Sequence, residues 1–109
     1  MRRVQKPWGR EIIWAETSNY VGKILIINPG HRLSKQYHEE KEETLYVLEG
    51  ILLNYVEDKV EKYFPGQRIH VSPKQIHRFG APEDRRTKVI EVSTNFLEDV
   101  VRLEDDYDR

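Results

Sequence analysis

The sequence predicts an all-β protein built as a sandwich or a small barrel. Short stretches rich in β-branched and aromatic residues, several of them alternating apolar and polar side chains, recur along most of the chain. Turn-forming residues separate these stretches at intervals of roughly 8 to 12 residues, a spacing typical of closed β architectures. The chain has 109 residues, which favours a single domain over residues 1–109.

Each predicted strand ends at a turn signal such as Asn28-Pro29-Gly30 or Pro65-Gly66. In chain order the predicted strands are 9–16, 20–28, 32–38, 44–50, 51–57, 59–64, 68–72, 76–81 and 87–94. Segments 44–50 and 51–57 meet at Glu49-Gly50, so we expect them to form a hairpin. Residues 95–106 carry apolar side chains at helix-like spacing, which predicts a short C-terminal helix or turn.

Composition excludes several classes of site and partner. The chain has no cysteine, so a metal ion would have to be held by imidazole, carboxylate, amide or water. Its 18 basic and 19 acidic residues are well mixed, which argues against a nucleic-acid partner. No apolar stretch reaches membrane-spanning length, and none follows the basic residues 1–6 as a signal peptide would require. We therefore expect a soluble cytoplasmic protein.

The segment SKQYHEEKEETLYVLEG, residues 34–50, contains candidate metal ligands at strand-like spacing. Gln36 and His38 are two residues apart, so they share one face of a strand. If the chain turns over residues 39–42 and returns antiparallel, Glu43 can face the same space, and His77 lies on a later strand. Amide oxygen, two imidazoles and a carboxylate suit zinc, iron, manganese, nickel or cobalt, with one or two coordination positions left open. We predict one divalent metal ion held by these four side chains.

The ordinary interpretation of HEEKEE is a solvated turn that protects a sheet edge. A single histidine near a turn is also more often a surface residue than a ligand. The joint spacing of Gly30, Gln36, His38, Glu43 and Gly50 favours the metal site over that alternative. Two further residues, His31 and His70, have no such support and are expected to lie on the surface or behind the ligands.

That spacing resembles the first motif of the cupin superfamily, with glutamine in place of its usual first histidine. Residues 66–77 resemble the second motif, and His77 falls at the last ligand. Ser72 and Lys74 replace the proline and glycine that usually precede this histidine. The resemblance implies a cupin double-stranded β-helix, a small jelly-roll barrel open at one mouth.

A narrower resemblance covers nearly the whole chain. The segments KPWGRE, PGHRLSKQYHEEKEE, HRF, VIEVST and EDVVRLEDDYDR are similar, in order, to the isomerase domain of type II phosphomannose isomerases. In that family the domain usually follows a mannose-1-phosphate guanylyltransferase domain, and a glutamine at the position of Gln36 is typical. Lys41 stands where the family often has arginine, and Asp108 where it has glycine. The chain has no glycine-rich nucleotide loop, so we infer no guanylyl transfer.

The resemblance implies interconversion of mannose 6-phosphate and fructose 6-phosphate, a proton transfer between C2 and C1 through an enediol, with zinc as the favoured metal. Glu91 interrupts an apolar strand and is our candidate base, although an outward orientation is equally compatible with strand alternation. Lys41 is a candidate electrophile or acid–base group. For the substrate phosphate we favour Arg32 and Lys35, which adjoin the motif. The further phosphate candidates are Arg10, Lys23 and Arg78.

Two other functions stay open on the sequence. The same pocket could serve a non-catalytic module that binds a sugar or sugar phosphate, or a different metal-dependent reaction such as that of a dioxygenase or epimerase. By analogy, and from outward apolar residues such as Tyr46 and Leu48, we expect a homodimer. Trp8 could stack on sugar, anchor the N-terminal strand or fill a dimer contact.

Overall fold

The computed structural model describes residues 1–107, and these form β-strands and turns without a helix. Asp108, where the related family has glycine, lies outside the described residues. The strands are β1 (Arg2–Lys6), β2 (Gly9–Glu16), β3 (Tyr20–Ile27), β4 (Lys35–Tyr37), β5 (Glu43–Glu49), β6 (Leu52–Val56), β7 (Lys59–Tyr63), β8 (Arg68–Val71), β9 (Phe79–Gly80), β10 (Thr87–Thr94) and β11 (Val101–Glu104). The described residues contain no helix that could span a membrane.

The strands pack in two layers. One layer is a six-stranded sheet in the order β1-β2-β3-β10-β5-β8, with antiparallel pairing throughout. The other contains a three-stranded sheet, β7-β6-β9, and a two-stranded sheet, β11-β4. Single bridges from Arg32 to Gly80 and from Gln36 to His77 join these two smaller sheets. This architecture agrees with the predicted jelly-roll barrel.

The core lies between the layers because inward-facing residues alternate with outward ones along each strand. On β10, for example, Val89 and Glu91 are buried, whereas Val92 is exposed. The buried apolar cluster comprises Trp8, Leu25, Ile27, Leu33, Leu45, Val47, Leu52, Ile69, Val71, Phe79, Ala81 and Val89. Trp8 therefore anchors the segment that joins β1 to β2, which was one of the three interpretations of its sequence position.

The predicted hairpin of segments 44–50 and 51–57 is wrong. β5 pairs with β10 and β8, whereas β6 pairs with β7 and β9, so the chain changes layer between them. Gly50 makes this crossing possible at φ 77°, where a Cβ would lie 2.3 Å from the carbonyl oxygen of Arg86. The glycine between two apolar runs correctly predicted a bend, but it did not indicate that the two strands belong to different layers.

The two ends of the chain form strands that the sequence did not predict. Residues 95–100 make a turn, with Asp99 N–H donating to the Phe96 carbonyl, and β11 follows in place of the helical alternative. The apolar residues that suggested a helix do not share one buried face, because Leu103 is exposed while Val100 contacts the barrel cavity. β1 was not predicted as a strand because its inward face is mostly basic, whereas a buried strand is usually indicated by apolar residues on that face.

Charged contacts hold the C-terminal segment against the second layer. Arg32 donates two hydrogen bonds to Asp106, at 2.6 and 3.0 Å, and lies over the ring of Tyr55. The buried Arg78 donates to Asp106 at 2.8 Å and to the Leu33 carbonyl at 3.1 Å. The hydrogen bond from Arg32 is the main reason that the pKa of Asp106 lies below its ordinary value.

We predict that Asp106→Asn destabilises the fold by about 1 kcal/mol at pH 7, which lowers Tm by about 4 °C. Because the folded-state pKa of Asp106 is depressed, its stabilising contribution is complete above the unfolded pKa of about 3.9 and is lost as the pH falls. The difference in Tm between the two proteins should therefore shrink below about pH 4. Thermal melts at several pH values measure it, with the exposed Asp58→Asn as control. Equal Tm values at pH 7 would contradict the prediction.

Candidate metal centre

Three of the four predicted ligands converge inside the barrel. The ligating atoms of His38, Glu43 and His77 all lie within 4.8 Å of one another, and the three side chains are buried. They come from separate parts of the fold: the end of β4, the first residue of β5 and the segment before β9. They line a cavity of about 280 Å³ inside the barrel.

Both histidines present the same ring nitrogen to this cluster. Nδ1 of His38 donates to the carbonyl of Asp99, and Nδ1 of His77 donates to the carbonyl of Gln75 at 3.1 Å. A carbonyl oxygen only accepts hydrogen bonds, so each neutral ring carries its proton on Nδ1 and an unshared electron pair on Nε2. The two Nε2 atoms lie 3.7 and 3.4 Å from Oε1 of Glu43.

This geometry fits a divalent cation. Electron pairs on two nitrogens facing a carboxylate oxygen repel one another unless a proton or a cation lies between them. Burial lowers the pKa of His77, which disfavours the proton. Burial also opposes ionisation of Glu43, but His38 and Lys41 outweigh it, so its pKa lies below the ordinary value. Neutral imidazoles and an ionised carboxylate are the forms that bind metal.

One further observation supports that fit. Among residues 1–107, Nε2 of His38 is buried without a hydrogen-bond partner. An unsatisfied buried polar atom is costly, and a bound cation would satisfy it. The cluster thus supplies two nitrogens and one oxygen, a set that suits zinc and the neighbouring divalent transition metals.

Gln36 lies beside the cluster with its amide nitrogen towards it. Its Oε1 accepts a hydrogen bond from Ser34 Oγ at 2.7 Å, and its Nε2 lies 3.5 Å from Nε2 of His77. Rotating the amide by half a turn would present the oxygen to the cation, and the Ser34 hydroxyl can serve either orientation because it both donates and accepts. The assignment of Gln36 as fourth ligand remains a prediction.

The loop between His38 and Glu43 is held by Asp99, which the sequence did not reveal. The carboxylate of Asp99 accepts backbone N–H groups of Glu39, Glu40 and Lys41 at 3.0, 2.8 and 3.0 Å. These bonds, led by that from Glu40, lower the pKa of Asp99. Contacts between positions about sixty residues apart, such as those of Asp99, leave no local signal in a sequence.

The predicted antiparallel pairing between β4 and β5 is wrong, because β4 pairs with β11 instead.

Lys41 and Glu91, the two proposed catalytic residues, lie in the same cavity as the ligands. Nζ of Lys41 is 3.1 Å from Oε2 of Glu43 and 3.2 Å from Oε2 of Glu91. Strand alternation turns Glu91 inward, which decides between the two orientations left open by the sequence. Burial and the charge of Glu43 raise the pKa of Glu91 to about 7. Burial opposes protonation of Lys41, but the two carboxylates outweigh it and raise its pKa.

Three of the phosphate candidates, Arg32, Lys35 and Arg10, are not among the residues that line the cavity. Arg32 is engaged by Asp106 and Tyr55, as described above. Lys35 and Arg10 are sequence neighbours of the cavity residues Gln36 and Glu11, so strand alternation points them to the opposite faces. Of the further candidates, Lys23 lines the cavity but lies 3.4 Å from Glu11, while Arg78 is held by Asp106.

The remaining residues singled out from the sequence have structural partners. His31 stacks on Tyr107, and His70 lies 3.0 Å from Glu42 on the surface. Trp8 is buried in the core and also contributes to the cavity wall.

We predict that Glu43→Gln lowers the affinity for zinc by at least about tenfold, because an anionic ligand becomes neutral and its charge no longer compensates the cation. Metal content after dialysis against a zinc buffer measures this. The matched control is Glu40→Gln, an exposed residue of the same loop. Unchanged metal content in Glu43→Gln would remove Glu43 from the ligand set.

The chain is similar to known proteins over nearly its whole length. Residues 1–105 match the family described as mannose-6-phosphate isomerase C-terminal. The mannose-1-phosphate guanylyltransferase ManC of Salmonella typhimurium is 31% identical over 111 residues, covering 99% of this chain and 23% of that protein. The alginate biosynthesis protein AlgA of Pseudomonas aeruginosa is 30% identical over 109 residues, covering 97% of this chain and 23% of that protein. The chain thus spans about a quarter of the length of these curated relatives.

Solved structures identify the same fold. A cupin-like protein from Thermotoga maritima superposes with a TM-score of 0.78 at 19% identity, covering 91% of this chain and 78% of that one. At this identity the likeness concerns the fold, and the family match carries the relationship. The chain belongs to the mannose-6-phosphate isomerase C-terminal family and has the cupin double-stranded β-helix fold.

Proposed function

We propose that this chain is a metal-dependent aldose–ketose isomerase that interconverts mannose 6-phosphate and fructose 6-phosphate. The observation that carries the proposal is one cavity that combines a cluster of three candidate metal ligands, a buried carboxyl group whose pKa is raised to about 7 and a lysine held between two carboxylates. Membership of the family supports the sugar substrate.

His38, Glu43 and His77 would hold the cation, with Gln36 as the fourth ligand and zinc as the favoured metal. A divalent cation supplies a Lewis acid that polarises the substrate carbonyl and stabilises negative charge on its oxygen. The Nδ1 hydrogen bonds of both histidines keep their Nε2 atoms directed at this position.

Glu91 is the proposed base of the proton transfer. In the direction of mannose 6-phosphate, its ionised carboxylate takes the proton from C2 while the C1 carbonyl oxygen gains negative charge, which gives an enediolate. The proton of the C2 hydroxyl passes to the C1 oxygen, the same carboxyl group returns its proton to C1, and the carbonyl forms at C2. A pKa of about 7 matches both halves of this cycle, because the group must accept and release a proton at similar cost.

Lys41 is proposed to stay protonated throughout and to hold Glu91 in place. Its ammonium contacts the carboxylates of both Glu43 and Glu91, so it links the cation site to the base. It can also donate a hydrogen bond to a substrate oxygen, since an ammonium has three N–H donors.

A module that binds sugar phosphate without turnover is the second candidate function. The observation that favours it is Lys41, at a position where the related isomerases often have arginine.

We further propose that the chain forms a homodimer through the outer face of the six-stranded sheet. Register places Ile12, Ile24 and Ile90 side by side across neighbouring strands, with Tyr46 next to Ile90. The larger apolar residues on this face are from 42% to 54% exposed, namely Trp14, Tyr20, Tyr46, Leu48 and Val92. A second copy of this face would remove that apolar surface from water.

An assay with mannose 6-phosphate tests the isomerase. Turnover should disappear with a chelator and return with zinc. Because the ionised form of Glu91 is the base, kcat/KM should rise as the pH increases. The midpoint of this rise should lie at or somewhat below pH 7, since a bound cation lowers the pKa of a nearby carboxyl group. Glu91→Gln should lower kcat by about 10²- to 10⁴-fold with metal content unchanged.

The control for that variant is Glu83→Gln on the surface. Wild-type turnover in Glu91→Gln would exclude Glu91 as the base. Tight binding of mannose 6-phosphate without turnover by the zinc-loaded wild-type protein would favour the binding module.

The dimer is tested by light scattering of the protein and of a Tyr46→Glu, Leu48→Lys double variant. We expect a dimeric mass for the wild-type protein and a monomeric mass for the variant, which buries two charges in the proposed contact. The control replaces exposed Lys62 and Lys59 on β7 of the other layer with glutamine. A monomeric wild-type protein would exclude the proposed contact.

A further inference from the structure

The first strand lines the cavity with positive charge. Alternation along β1 places Arg2, Val4 and Lys6 on one face, and all three are cavity-lining residues. Their partners on β2 are Ile13, Glu11 and Gly9, and the first two of these also line the cavity. β1 therefore forms one wall of the cavity, with two of its basic side chains on that wall.

The last strand adds a third cation. Arg102 on β11 lies directly opposite Gln36 on β4, and both residues line the cavity. Directly paired residues of an antiparallel ladder have their Cα atoms about 4.5 to 5.5 Å apart and direct their side chains to the same face. Arg102 is exposed where Gln36 is partly buried. This places the Arg102 side chain on the outward side of the cation site.

The positive charges deep in the cavity are already paired, whereas those of Lys6 and Arg102 are not. Lys41 lies between Glu43 and Glu91, and Lys23 lies 3.4 Å from Glu11. Within residues 1–107, Lys6 and Arg102 take part in no ion pair. Arg2 has only a solvent-exposed contact of 3.6 Å with Glu16, which is a weak interaction.

Glu11, on β2 beside β1, is engaged by Lys23. The remaining carboxylate that lines the cavity outside the metal-ligand cluster and its neighbour Glu91 is that of Glu98. It is exposed and forms no ion pair with any residue of the described chain. Three basic side chains against one acidic side chain leave an excess of positive charge at the mouth. A dianion with oxygens on several sides matches such a set, because lysine and arginine bind phosphate oxygens through charge-assisted hydrogen bonds.

We propose that Lys6 and Arg102, with Arg2 at the outer edge, form an anion subsite that binds the phosphate group of the substrate. This rests on the proposed function, since it supposes a sugar phosphate whose carbonyl end reaches the cation site. The phosphate then stays in the mouth of the cavity, and the sugar carbons span the distance to Glu91. The subsite selects phosphorylated sugars over free sugars.

The test compares wild type with Lys6→Gln, Arg102→Gln and the double variant. Each single substitution should raise KM for mannose 6-phosphate about 10- to 100-fold, with a smaller change in kcat and no change in metal content. The inhibition constant of inorganic phosphate should rise by a similar factor, and Lys6→Arg should largely restore it.

Two surface substitutions serve as matched controls. Arg3→Gln removes a cation from the opposite face of β1, and Lys35→Gln removes one from the opposite face of β4. Both should bind phosphate as the wild-type protein does. If these controls weaken phosphate binding as much as the double variant does, general surface charge is responsible and the subsite is excluded.

A binding measurement separates this proposal from the isomerase itself. Titration calorimetry with sorbitol 6-phosphate, which has no carbonyl and cannot be isomerised, reports on the subsite whether or not the protein turns over substrate. Binding by the wild-type protein that is lost in the double variant supports the subsite even if the isomerase assay is negative. Turnover with wild-type KM in the double variant overturns the subsite and leaves the isomerase standing.

Discussion

The site depends on one buried carboxylate that must meet positive charge. Glu43 lies against two imidazole nitrogens whose electron pairs face it, and against a single ammonium group from Lys41. In a medium of low polarity, a carboxylate oxygen that faces the unprotonated Nε2 atoms of two rings is unfavourable unless a cation lies between them. The hydrogen bonds at the far nitrogens of the rings prevent the histidines from turning away. The fold therefore holds together a set of side chains that a divalent metal ion suits.

The periphery of the barrel, more than its core, maintains this arrangement. The turn after β10 supplies Asp99, whose carbonyl orients His38 and whose carboxylate fixes the ligand loop. β11 continues from that turn and pairs with β4, the strand that carries Gln36. β1 closes the other side of the cavity. The central strands supply Glu43 and Glu91, while the two terminal strands enclose the space in which these groups act.

Period-two alternation grouped Gln36 with His38, because their side chains share a face, and the resemblance to the cupin motifs supported Glu43 and His77 as predicted ligands. Alternation also predicted most strand positions. It could not predict strand partners: β5 and β6 adjoin in sequence but belong to different layers. Sequence proximity to the motif likewise favoured Arg32 and Lys35, yet Asp106 engages one and alternation turns the other away. Pairing between distant strands decides these features, and no local pattern encodes it.

Charge balance explains why a lysine inside the cavity cannot also bind a substrate phosphate. Lys41 already lies between two carboxylates, and a bound cation would be balanced in part by Glu43. A doubly charged phosphate brought to the same place would meet Glu91, whose ionised form the proton transfer requires. The proposed subsite avoids this conflict by separating the two functions: the reacting carbons would lie near Glu91, and the phosphate would lie at the mouth with Lys6 and Arg102. The two ends of one substrate would then meet two differently charged parts of a single cavity.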